Sequence, residues 1–210
     1  MSDPAAQPRR GRGRPAGSDG ADTRERILGA ARELFSEVGY DRATFTEIAA
    51  RADVTRTNIN HYFRGKDDLY RTLFEADKGS ILTTGIADAR ARADLADRIA
   101  IFLRTAMAID AEDRVYVRFL AASLFDALRN PELGDWAAEQ VDYVRDFIRA
   151  SLETAAADGS IRPDVDIAAV TEMLIAAIWG MAMYAGFVGT HRQLEPIVDQ
   201  FVGLLRGALG

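Results

Sequence analysis

The sequence predicts an all-α protein: a small three-helix head followed by a larger helical body. Three observations carry that prediction. Apolar residues recur at i, i+3 and i+4 along most of the chain, with no alternating strand pattern and no internal repeat. The stretch Thr44–Phe63, TFTEIAARADVTRTNINHYF, reads as two short helices joined by a tight turn. Charge is shared unevenly: residues 1–66 hold 12 Lys or Arg against 9 Asp or Glu, and residues 67–210 hold 14 against 23. A chain of 210 residues, 48% hydrophobic and 28% charged, can bury a substantial core.

Residues 1–20 are rich in Pro, Gly, Arg and Ser, and read as a disordered basic arm. They lack the apolar centre of a signal peptide. Within the arm, RRGRGRP (Arg9–Pro15) holds Arg12 and Arg14 between small residues, which suits the narrow minor groove of A·T-rich DNA. A solubilising tail has the same composition. Asp22 and Glu25 form a capping box for a first helix that ends at Gly39. Its Ile27, Ala31, Leu34, Phe35 and Val38 make the inner stripe.

Thr44 caps the second helix with Glu47, and Phe45, Ile48, Ala49 and Ala52 give it one apolar face. Ala52-Asp53-Val54 is the turn, since Asp tolerates a left-handed conformation better than most residues. Thr55 caps the third helix, whose Ile59, Tyr62 and Phe63 share the inward side. After Gly65, Lys66 starts a long helix with Asp67 and Asp68 where the helix dipole favours them; Gly79 and Gly85 weaken it midway. The remaining helices are expected at about Leu95–Ile109, Glu112–Arg129, Pro131–Asp158 behind a capping Asn130, Asp166–Gly189, and His191–Leu209 behind Thr190 and Gln193.

The outward side of the third helix holds Arg56, Thr57, Asn60, His61 and Arg64. All can make hydrogen bonds and none is acidic, which suits insertion into a DNA major groove. Spacing alone leaves another reading open, because two amphipathic helices at an angle also occur in domains that meet no nucleic acid.

The surrounding residues bear on that choice. TRERILGAARELFSEVGYDRATFTEIA upstream and HYFRGKDDLYRTLF downstream make the region resemble the DNA-binding part of the tetracycline-repressor (TetR) family of bacterial transcription regulators. The matching residues are Ile27, Ala31, Leu34-Phe35, Gly39, Thr44–Ala49, Val54-Thr55, Phe63, Lys66 and Leu69, dense over 21–81. Two residues depart from the pattern: Asp53 stands where the turn usually has Gly, and Asn60 where the reading helix usually has Tyr. The resemblance implies a DNA-binding domain at 21–81 with its helix-turn-helix at 44–63, and an effector-binding and dimerisation domain at 82–210. It also implies double-stranded DNA with a palindromic operator as partner. The contacts would come from Arg12, Arg14, Thr44, Thr46, Arg56, Thr57, Asn60, His61, Tyr62 and Lys66, with Lys66 on phosphate.

In the body, the family pattern implies a pocket for a small-molecule effector, with Phe102, Tyr116, Arg118, Phe119, Tyr143, Phe147, Trp179 and Met183 as candidates. Ordinary core packing accounts for the same residues. Met173–Gly189 runs 17 residues without a charge, short of the roughly 20 a membrane span needs, and reads as a buried helix rather than a membrane segment. Its small residues permit close approach. The resemblance implies a homodimer in which the last two helices pair with a second copy through Ala177, Gly180, Tyr184, Ile197, Phe201 and Leu205.

The chain has no cysteine, and His61 and His191 are far apart, so neither a disulfide nor a metal centre is expected, and no cofactor. No catalytic motif is present, and no enzyme is expected. The absence of cysteine suits a reducing cytoplasm, and the resemblance implies a bacterial one with the protein on the nucleoid. The expected function is that of a repressor released by a small, largely apolar ligand. A DNA-binding dimer without an effector, and a small all-α enzyme or carrier, are the alternatives.

Overall fold

The computed structural model describes residues 16–77, 83–112, 114–189 and 191–209. Arg12, Arg14, Gly79, Ile81 and Thr190 lie outside them. The described residues form ten α-helices and no strand: α1 (Ala16–Arg42), α2 (Phe45–Arg51), α3 (Arg56–Tyr62), α4 (Lys66–Asp77), α5 (Thr83–Arg90), α6 (Leu95–Glu112), α7 (Arg114–Arg129), α8 (Pro131–Ala157), α9 (Ile167–Met183) and α10 (His191–Leu209).

α1 starts inside the stretch expected to be a disordered arm, and Asp22 lies within it rather than at its cap. Extending a formed helix by a turn costs little per residue, so a Gly-rich start can be recruited by the strong helix behind it. Gly39 breaks the regular turns with φ 77°, and helical hydrogen bonding resumes to Arg42. Asp53 takes φ 51° in the turn between α2 and α3. Asn130 stands at the start of α8 but makes no side-chain cap. Its Nδ2 donates instead to the Asp126 carbonyl, at 3.1 Å.

Two cores hold the molecule. The first gathers the inner faces of α1 to α4, with Phe35, Ile48, Ile59, Leu69 and Tyr70 wholly buried. Phe119 of α7 and Leu133 of α8 join it, so the body supplies part of the head's interior. Phe119 sits among Tyr70, Phe74 and Phe35 with ring centroids 5.2, 5.5 and 6.4 Å away. The second core lies between α5, α6, α7, α8, α9 and α10, around Ile99, Phe102, Phe147, Leu174 and Val198.

The apolar helix after Asp166 is longer than its uncharged run. Ile167–Val188 spans 22 residues at a mean hydropathy of 1.6 in its most apolar window, so the length argument against a membrane span does not hold. Nor is it buried within the chain, since only 22% of that window is covered. Its inner residues Leu174 and Ile175 pack into the second core, while Met173 and Phe187 stay about half exposed. The helix ends in one wide π turn, Tyr184–Val188, closed by Gly189 N–H donating to the Tyr184 carbonyl at 2.8 Å. A Cβ at Gly189 would overlap the Tyr184 ring and require that ring to shift.

Candidate nucleic-acid interface and effector cavity

Both helices of the reading unit are capped from their own sequence. Glu47 N–H donates to Thr44 Oγ1 at 3.3 Å, and the Thr44 hydroxyl donates to Glu47 Oε2 at 2.7 Å. Asn58 N–H and the Thr55 hydroxyl repeat the arrangement at α3, at 3.2 and 2.7 Å. Arg51 reaches back from α2 to Glu37 of α1 with two hydrogen bonds, 3.0 and 2.5 Å. That hydrogen bond and the adjoining guanidinium hold the Glu37 carboxyl below its ordinary range. The pair is largely exposed and contributes at most about 1 kcal/mol.

α3 stands on Ile59, which is fully buried, and Phe63 just beyond it. Its other side presents Arg56, Thr57, Asn60 and His61, all exposed. Thr44 and Thr46 are exposed at the start of α2. Two of the expected contact residues, Tyr62 and Lys66, also make contacts within the chain. Tyr62 is half-buried, edge-on to His61 at 5.3 Å, with its hydroxyl near Gly20 of α1. The Lys66 ammonium turns inward and donates to the carbonyls of Tyr40 (2.6 Å), Asp41 and Ala43 (both 3.3 Å), over the Tyr40 ring. Those carbonyls lie at and just beyond the end of α1, so Lys66 helps to close that terminus.

Behind the reading unit lies a residue that sequence reasoning missed. Asp126 of α7 is buried, and its Oδ2 accepts from Tyr40 N–H and from the Tyr70 hydroxyl, both at 3.0 Å. Its Oδ1 would stand 3.0 Å from any Cβ at Gly39. Gly39 is thus required twice, for its positive φ and for the approach of this carboxylate. Burial pushes the Asp126 carboxyl above its ordinary value, against the two donors that pull it down. One signal was available: Asp126 is the single charged residue in the run from Ala121 to Leu128.

The cavity in the body, about 90 Å³, is lined by α6, α7, α8, α9 and α10. Of the eight expected pocket residues, Phe102, Tyr116 and Trp179 line it, beside Leu103, Val117, Leu120, Val144, Ile178, Met181, Leu194 and Val198. Phe119 belongs to the head's core, one helical step out of phase with Tyr116 and Leu120. Arg118 points the other way and donates through Nε to the Gly186 carbonyl at 2.8 Å, tying α7 to the π turn. Phe147 packs behind Phe102 at 5.4 Å. Tyr143 and Met183 are half-buried and outside the lining.

On the far side of α9, Ala177 and Tyr184 are half-buried and Gly180 is exposed with open space above it. On α10, Ile197 is 39% and Leu204 71% exposed, with Phe201 half-buried between them. Leu205, expected outward, is buried in its own chain's core with Leu194, Val198 and Val202. Leu204 takes the outward place.

A helix-turn-helix head with an acid-free donor face, joined through buried contacts to a helical body with an apolar cavity, defines a DNA-binding transcription regulator. The chain belongs to the TetR family: residues 27–73 match the bacterial regulatory proteins of the tetR family, and residues 95–206 match the C-terminal domain of the BetI-type transcriptional repressors. The HTH-type transcriptional regulator UidR of Escherichia coli is 23% identical over 159 residues, covering 76% of this chain and 79% of that one. The HTH-type transcriptional repressor BepR of Brucella suis is 43% identical over 56 residues, 27% of each chain. Among solved structures, the regulator FadR of Bacillus subtilis in complex with stearoyl-CoA superposes with a TM-score of 0.75 at 21% identity, covering 89% of this chain and 99% of that one.

Proposed function

We propose that two copies of this chain hold a palindromic operator through their α3 helices and release it when a largely apolar small molecule enters the body. The observation that carries the proposal is the exposed, acid-free face of Arg56, Thr57, Asn60 and His61 on a helix anchored by Ile59. Two such helices must meet successive major grooves about 34–36 Å apart, so a small change in their separation releases DNA. In this reading the head ends and the body begins at 81/82, with α7 contributing to both cores. Arg12 and Arg14 extend the reading into the minor groove.

The route from ligand to DNA runs along α7. Tyr116, Val117 and Leu120 of that helix line the cavity, and Asp126 two turns on holds the junction of α1 with α2. The cavity is small beside the few hundred Å³ of a typical ligand site, so an occupant must part its walls. A carbon-lined wall favours an apolar effector, in keeping with the stearoyl-CoA bound by a structural relative. The protein acts by binding and is no enzyme; it works in the cytoplasm on the nucleoid, without a membrane role or a cofactor.

The test is selection of genomic DNA fragments by the purified protein, followed by release with hydrophobic metabolites. Recovery of a short inverted repeat, bound tightly and released by one compound class, is the expected result. Recovery without any releasing compound would leave an effector-free DNA-binding dimer. No enrichment of any sequence would remove the regulator reading for this reading face.

A further inference from the structure

One residue of the cavity wall carries a buried polar atom with no hydrogen-bond partner. Trp179 lines the cavity from α9, and its Nε1 is buried without a hydrogen-bond partner. An indole N–H is a donor only, so another donor cannot satisfy it. Leaving such a group unpaired in a carbon-lined space costs about tenfold or more in equilibrium terms, and an acceptor brought by a ligand recovers that cost. From this, and resting on the effector reading above, we infer that the ligand class is a hydrocarbon body carrying one neutral acceptor, a carbonyl such as a ketone, ester or thioester, received by Trp179 Nε1–H. The aromatic rings of Phe102, Tyr116 and Trp179 would also suit a quaternary ammonium, but a cation leaves the indole donor unpaired. Sugars and other polyhydroxylated ligands find too few polar groups on this wall to replace their water.

The experiment compares methyl hexyl ketone with its isostere in which a methylene group replaces the carbonyl oxygen, and with hexyltrimethylammonium. Affinities are measured by calorimetry on the full chain and on Trp179→Phe, which keeps an aromatic ring and removes the donor. The indole N–H resonances of the two tryptophans, Trp136 and Trp179, are followed in parallel. The expected result is about tenfold tighter binding of the ketone than of the isostere, abolished by Trp179→Phe, with a downfield shift of the Trp179 resonance by the ketone alone. Should Trp179→Phe not fold, the resonance and the ketone preference of the wild-type chain still decide. Equal binding of ketone and isostere, an unmoved Trp179 resonance, or tight binding of the ammonium alone would each overturn the inference. Operator affinity is read on the same samples. A ketone that binds with the Trp179 signature and leaves DNA affinity unchanged would uphold this site and remove the effector reading instead.

Discussion

Asp126 is a carboxylate whose hydrogen-bond donors come from other helices, Tyr40 at the end of α1 and Tyr70 on α4. Burial raises its pKa above the ordinary 3.8, with Asp41 nearby adding to the rise while Tyr40 N–H, the Tyr70 hydroxyl and Arg129 oppose it. The sign follows from linkage. With the folded value raised, the group's contribution is full below the unfolded value and is lost as pH rises through the folded one. Wild-type stability should therefore fall, relative to Asp126→Asn, as pH climbs from below 3.8 through that raised value. Urea midpoints of both proteins across the mildly acidic range check this, and parallel curves would refute it. Lys66 supports a contrast at the same scale. Lys66→Met should cost about 1–2 kcal/mol of stability by stranding the carbonyls at the end of α1, with base preference unchanged. Asn60→Ala or Arg56→Ala should do the reverse: little change in melting, and about 1–3 kcal/mol lost on the operator or a relaxed preference. Melting curves beside gel-shift titrations separate the two; a Lys66→Met protein that melts normally and loses affinity for every sequence equally would favour the phosphate role.

At the scale of the element, α10 carries two apolar stripes less than a residue's rotation apart. Leu194, Val198, Val202, Leu205 and Leu209 face inward; Ile197 and Leu204 are exposed, with Phe201 half-buried at the edge of the core. If the outer stripe is the dimer face, Leu204→Asp or Ala177→Arg should give a folded monomer by buried charge. Leu205→Ala should instead destabilise the chain by about 2–5 kcal/mol and leave the copies paired. Sedimentation with far-ultraviolet dichroism distinguishes them; a Leu204→Asp protein that remains a dimer would show that the face lies elsewhere. The same helix shows what sequence can reveal. Helix existence was legible from periodicity and caps such as Thr44 and Thr55, because those are local. The phase of a stripe was not: Leu204 and Leu205 are both apolar, and only α6 across the core decides which faces in. Phe119 misled for the same reason, lying three residues after Tyr116 and one before Leu120 yet in another core. Asp126 escaped because its partners lie 86 and 56 residues away. The donor face of α3 was legible because a short helix with one buried anchor leaves a single side free.

At the scale of the molecule, the cavity and the reading face communicate only if α7 moves as a unit, since it lines one and grips the base of the other. A ligand that occupies the cavity at a hundred times its Kd should stabilise the protein by about 2.7 kcal/mol. It should also lower operator affinity by the factor by which operator lowers ligand affinity, because the coupling is reciprocal. Asp126→Ala offers a way to cut the connection without touching either site. The cavity wall is unaltered, so ligand affinity in the absence of DNA should hold within about twofold. The reading face is unaltered too, but the junction at Gly39 and Tyr40 no longer follows α7, so the reciprocal factor should shrink toward one. Ligand titrations with and without operator, on wild type and variant, measure both quantities together. If Asp126→Ala is folded and keeps the full factor, the signal travels through another contact, and α4 packed on Phe119 becomes the element to cut next.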